Sequence, residues 1–134
     1  MEKDTQQEAD MAKKTILVIE DNEINLKLVR SLLHIGNFNV LEAVDAETGI
    51  EIARKKQPDL ILMDIQLPRM DGLEATSILK NDPLTCHIPI IAITSYAMDG
   101  DKKKAKEVGC DWYISKPINT RTFLDEIKDF LQKS

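Results

Sequence analysis

A chain of 134 residues, 43% hydrophobic and 31% charged, has the size and balance of one ordinary globular domain with a core of its own. Its net charge of −5 argues against a nucleic-acid-binding surface. Its apolar runs fall far short of the about 20 residues that a membrane helix needs, and the polar start Met1-Glu2-Lys3-Asp4 lacks the apolar stretch of a secretory signal. Cys86 and Cys110 lie far apart with no CxxC pattern and read as reduced thiols of a cytoplasmic protein.

Residues 1–13 are polar and aperiodic and read as a disordered N-terminal tail; residues 14–134 read as a single domain. A strand is expected near Thr15–Glu20. A helix follows at Glu23–Ile35, with Ile24, Leu28, Leu32 and Ile35 on one face and Gly36 as its stop. After a short strand at Asn39–Glu42, Asp45 caps a helix whose Ala46, Gly49, Ile50 and Ala53 share a face. Pro58 leads into a strand at Asp59–Met63. Asp71 and Glu74 form a capping-box pattern that opens the next helix, and Pro83 follows its end. A strand at Ile88–Ile93, a helix at Gly100–Val108 stopped by Gly109, a strand at Trp112–Ile114 and a helix at Thr120–Leu131 complete the chain. The last helix turns Phe123, Ile127, Phe130 and Leu131 inward. Met63 and Trp112 read as core, His34 as surface and His87 as loop. Lys102, Lys103, Lys104 and Lys106 read as one solvated helix face.

This alternation predicts an α/β fold of the (βα)₅ type. Several strands are continuous apolar runs, as in parallel sheets covered on both faces. The expectation is a doubly wound, flavodoxin-like five-stranded parallel sheet in the order 2-1-3-4-5. In such a sheet the C-terminal strand ends meet. Leu60-Ile61-Leu62-Met63 runs into Asp64, Ile16-Leu17-Val18-Ile19 into Glu20-Asp21, Ile90-Ile91-Ala92-Ile93 into Thr94, and Trp112-Tyr113-Ile114 into Ser115-Lys116-Pro117.

Three carboxylates at one edge repel, and one would be protonated unless a cation relieves them. Hard oxygen donors favour Mg²⁺, with Mn²⁺ as a substitute. Asp21 and Asp64 are the expected direct ligands, a backbone carbonyl near Gln66 a third, and Glu20 a ligand through water. Asp64 can then act as nucleophile toward phosphorus while the cation neutralises the phosphoryl oxygens. Lys116 supplies a point charge, and the Thr94 hydroxyl supplies a hydrogen bond.

The set Glu20-Asp21, Asp64, Thr94 and Lys116-Pro117 resembles the receiver domain of response regulators in the CheY-like superfamily, and DivK-like single-domain regulators in particular. The strings Glu20-Asp21-Asn22-Glu23-Ile24-Asn25, Met63 to Gly72 and Tyr113-Ile114-Ser115-Lys116-Pro117 carry the same likeness, which extends from about Lys14 to Ser134. The resemblance implies that Asp64 is the phosphoacceptor, charged by a histidine kinase or a histidine phosphotransfer protein in two-component or phosphorelay signalling. It implies that Glu20 and Asp21 hold Mg²⁺, that Thr94 and Lys116 bind the phosphoryl group, and that the Lys116-Pro117 bond is cis. Tyr113 would be the switch aromatic that turns inward as Thr94 moves. Gln66 and Tyr96 would tune hydrolysis. Ser95 stands where many receivers carry alanine. The implied protein is a switch rather than an enzyme, with only slow autodephosphorylation. It would be cytoplasmic, monomeric or weakly dimeric, and without nucleic-acid or membrane partners. A downstream protein would read the surface of the fourth helix, fifth strand and fifth helix.

Other classes fit these residues less well. An aspartyl-phosphate phosphatase would carry a second carboxylate two positions after the nucleophile, where this chain has Gln66. A pseudo-receiver that only binds proteins would not need every chemical position filled. A flavin- or nucleotide-binding relative would need a glycine-rich loop after the first strand.

Overall fold

The computed structural model describes residues 14–95 and 99–133. Residues 1–13, including the expected tail, and Tyr96 lie outside them. The strands are β1 (Thr15–Ile19), β2 (Asn39–Ala43), β3 (Leu60–Asp64), β4 (Ile90–Thr94) and β5 (Trp112–Ser115). The helices are α1 (Glu23–Ile35), α2 (Ala46–Lys56), α3 (Gly72–Lys80), α4 (Asp99–Val108) and α5 (Phe123–Lys133). All neighbouring strands pair in parallel, in the order β2-β1-β3-β4-β5. The fold is therefore the expected (βα)₅ sheet. No helix among the described residues is long and apolar enough to cross a membrane.

Every residue of β3 and β4 is buried, because helices cover both faces of the sheet. Alternating strand residues feed two cores. Ile16, Val18, Leu60, Leu62, Ile91 and Ile93 pack with α1 and α5 residues on one face. Leu17, Ile19, Ile61, Met63 and Ile90 pack with α2 and α3 residues on the other. At full burial each of these side chains contributes about 1.5–3 kcal/mol.

Three helix starts lie at the C-terminal edge of the sheet, and each is capped by a side-chain oxygen. Asn22 Oδ1 accepts from the Asn25 N–H at 3.0 Å, Asp45 Oδ1 from Thr48 at 2.8 Å and Asp71 Oδ1 from Glu74 at 2.8 Å. Each cap satisfies an N–H that the helix leaves open. The loops that precede these helices are thereby fixed at their far ends.

Several boundaries and burials differ from the sequence reading. β3 extends one residue further than expected, so Asp64 is itself paired, opposite Ile93. β4 begins only at Ile90, after Pro89, which has no N–H to give the ladder. α5 begins at Phe123, because Thr122 and Phe123 first turn back onto the Asn119 carbonyl. The expected inner face of α1 holds only in part: Leu32 is buried and Leu28 packs half-buried against the core, but its two ends do not. Ile24 and Ile35 are 79% and 71% exposed, while Leu26, Val29, Leu32 and Leu33 are buried. Trp112, expected in the core, is 52% exposed, because β5 is an edge strand. His34 and His87 are exposed. The two cysteines are free thiols.

Candidate functional site

The parallel sheet ends β1, β3, β4 and β5 on one side, and there the titratable groups converge. Glu20 follows β1 directly, and its N–H donates to the Ala43 carbonyl at 3.0 Å. It is thus held as a strand residue although the strand has ended. Asp64 closes β3. Both carboxylates are buried, at 4% and 3% exposure, while Asp21 points to solvent. One oxygen of each of the three lies within 4.8 Å of the others.

Lys116 follows β5, and its ammonium lies 3.0 Å from Glu20 Oε1 and 3.2 Å from Asp64 Oδ2. The Lys116 N–H donates to the Thr94 carbonyl at 2.7 Å, and the Lys116–Pro117 peptide is cis. The other Asp64 oxygen, Oδ1, accepts from the Gln66 N–H at 3.0 Å. Both oxygens of the buried Asp64 carboxylate are therefore hydrogen-bonded, as a buried charge requires. Thr94 is buried at the end of β4, opposite Ser115.

Electrostatics follow from this crowding. Burial pushes the Glu20 carboxyl above its ordinary value, and the adjacent Asp64 raises it further. Lys116 and the Asn22 N–H oppose the rise without cancelling it. Burial alone would lower the Lys116 ammonium. The Glu20 hydrogen bond and the charges of Asp64 and Glu20 outweigh that and hold it above its ordinary value. One lysine among three carboxylates leaves the cluster short of positive charge. The donor set consists only of hard oxygens, with one carboxylate open to solvent. It fits a divalent cation such as Mg²⁺, which binds through one or two carboxylates and keeps several waters.

Two positioning residues escaped the sequence reading. Gly72 begins α3, and its N–H donates to the Ile65 carbonyl at 2.9 Å. A Cβ there would lie 2.2 Å from the Asp64 carbonyl oxygen, so only glycine lets α3 start against this backbone. In the sequence the Asp71-Gly72 pair reads as the start of a capping box, and Gly72 stands eight positions after Asp64, so their close approach shows only in the fold. Arg69 adopts a positive φ of 63°, and its guanidinium reaches Asp45 and Glu47 at 3.3 and 3.2 Å. It ties the loop after Asp64 to the start of α2. Arg69 falls within the string that carries the family likeness, but its role does not show in the sequence, since its partners lie more than 20 positions away.

Comparison with known proteins adds relatives to this geometry. The sequence model of the response regulator receiver domain matches residues 16–128. The polar-differentiation response regulator DivK of Brucella anthropi is 44% identical over 118 residues, covering 88% of this chain and 96% of its own length. A CheY-like receiver domain protein from Methanospirillum hungatei superposes with a TM-score of 0.83 at 30% identity, over 90% of this chain and 95% of its own. The receiver domain of a sensor histidine kinase from Pseudomonas aeruginosa superposes with a TM-score of 0.79 at 30% identity, over 90% and 96%. That crystal structure has a magnesium ion coordinated in its active-site cleft.

Proposed function

The chain belongs to the response regulator receiver domain family, signalling switches of two-component systems, and from that premise we propose that Asp64 is its phosphoacceptor. The observation that carries the proposal is the buried Asp64 carboxylate, held between the Gln66 N–H and the Lys116 ammonium beside two further carboxylates. The donor is a phosphohistidine of a histidine kinase or a histidine phosphotransfer protein. One Asp64 oxygen forms a bond to phosphorus as the nitrogen–phosphorus bond breaks. The electron pair leaves on the imidazole nitrogen, which then takes up a proton.

Asp21 and Asp64, with the Gln66 backbone carbonyl and with Glu20 through water, would hold Mg²⁺ or Mn²⁺, and the bound cation would supply charge neutralisation at the phosphoryl oxygens. Lys116 moves from the carboxylates to a phosphoryl oxygen. The Thr94 hydroxyl donates to another, and its displacement draws the Tyr113 ring inward. Gln66 and Tyr96 set the slow hydrolysis of the acyl phosphate. A downstream protein reads α4, β5 and α5. An open cleft of about 350 Å³ between β5 and the start of α5, lined by Trp112, Tyr113, Asn119 and Glu126 among others, supports this surface.

The test is intact-protein mass after incubation with acetyl phosphate and Mg²⁺. The expected result is the gain of one phosphoryl group, absent in Asp64→Asn. An unchanged wild-type mass, or a gain retained by Asp64→Asn, would refute the assignment. Sustained turnover of a generic phosphomonoester would instead indicate a hydrolase.

A further inference from the structure

Successive residues of a strand project to opposite faces, so the side chains of Trp112 and Tyr113 should not meet. Yet their ring centroids lie 5.7 Å apart and their planes within 15°. β5 is the last strand of the sheet, and two such rings can stack only by curling round its open edge. A further contact on Tyr113 comes from α4, where the Lys102 ammonium stands 4.8 Å from the ring centroid. Lys103, Lys104 and Lys106 are exposed, but Lys102 is half-buried. The lysine run is therefore not one solvated face, because one member is turned onto the aromatic ring. Neither Lys102 nor Trp112 belongs to the carboxylate cluster.

We propose that Lys102 and Trp112 clamp the Tyr113 ring over the open edge of β5 and thereby set how readily Asp64 is phosphorylated. The inference rests on the reading of Tyr113 as the switch aromatic. A contact made in only one of two conformers opposes whatever favours the other, by the free energy of that contact. Tyr113 is half-buried and lines the open cleft beside β5, so a clamp that holds the ring there resists its inward turn and with it phosphorylation. Lys102 and Trp112 are positioning residues, acting on the site through Tyr113.

The direction of the effect separates this role from simple charge. Removing a cation near an anionic donor should weaken donor encounter, whereas releasing a clamp should favour the phosphorylated form. Lys102→Met keeps the stem over the ring and removes the charge, and Lys102→Arg keeps a cation there. Each variant is titrated with acetyl phosphate at fixed Mg²⁺, and the phosphorylated fraction is read by intact mass. Emission of Trp112, the chain's one tryptophan, reports the ring environment. The half-maximal donor concentration should fall roughly two- to fivefold in Lys102→Met and stay near wild type in Lys102→Arg. The Lys102→Met effect should vanish in a Tyr113→Leu background. In Lys102→Met, Trp112 emission before donor addition should already lie toward that of the phosphorylated protein. A midpoint that is unchanged or raised in Lys102→Met, or a fall that survives Tyr113→Leu, overturns the clamp while the phosphoacceptor reading stands. No mass gain in any variant overturns that reading, and this control with it.

Discussion

Replacing Gly72 with alanine should be costly, although the same change in an exposed helix stabilises. The new methyl would lie 2.2 Å from the Asp64 carbonyl oxygen, 2.7 Å from Ile65 Cα and 2.9 Å from the Asp64 carbonyl carbon, where ordinary contact begins at 3.4 Å. All three atoms are backbone at the end of a fully buried strand, so α3 must withdraw by roughly an ångström, a shift of the overpacking kind. Withdrawal breaks the 2.9 Å bond from the Gly72 N–H to the Ile65 carbonyl, worth about 1 kcal/mol. Overpacking adds about 1–3 kcal/mol, and the better helix propensity of alanine returns at most about 1 kcal/mol. The net loss is about 2 kcal/mol, or a fall in Tm of roughly 6–10 °C for a domain of this size. Thermal unfolding followed by far-ultraviolet circular dichroism reads it directly. Below the transition the variant should also be phosphorylated more slowly, because the backbone carrying Asp64 has moved. An unchanged or higher Tm would refute the close approach of α3 to β3.

Asp64→Asn should unfold at a higher temperature than wild type without divalent metal, since it removes one of three crowded negative charges; a lower Tm would count against the clustered geometry. Glu20 gives metal-free protein an unusual pH slope. Its folded pKa is raised, so the folded state binds the proton more tightly. Its contribution is complete below the unfolded value of 4.5 and is lost as pH rises through the folded pKa. Urea unfolding at a series of pH values should show this decline, and Glu20→Gln or saturating Mg²⁺ should flatten it; a decline that persists in Glu20→Gln would place its origin elsewhere. Lys116 has the corresponding raised pKa, so its stabilisation persists through neutral pH and is lost only above 10.5. On α1, Ile24→Ala should cost under about 0.5 kcal/mol and Leu26→Ala about 2–5 kcal/mol; comparable costs in denaturant unfolding would reverse the assigned inner face.

Much of the fold was legible in the sequence because strands buried on both faces are written as unbroken apolar runs. Ile16 to Ile19, Leu60 to Met63 and Ile90 to Ile93 are such runs. The caps Asn22, Asp45 and Asp71 act within three residues of themselves. Asp45 and Asp71 were read as caps from local pattern alone. The inner face of α1 was legible only in part. At about 100° per residue, Ile24, Leu28 and Ile35 form one apolar stripe, and Leu26, Val29 and Leu33 form another on the opposite side. Periodicity admits both; contact with the sheet buries the second and keeps Leu28 of the first half-buried at its margin. Trp112 failed for a related reason: a strand's composition does not say whether it lies inside the sheet or at its edge.

Local chemistry therefore determined the element order, two of the helix starts and the residue types at the strand ends. Strand order, and with it the meeting of those ends, followed from general rules about parallel crossovers. What the tertiary structure alone decided are relations between segments distant along the chain. Lys116 lies between Glu20 and Asp64, α3 starts against the Asp64 backbone at Gly72, and Lys102 rests on Tyr113. A sequence records which groups are available. The distances that shift a pKa, exclude a methyl or seat a cation on a ring exist only once the sheet has brought those groups to one edge.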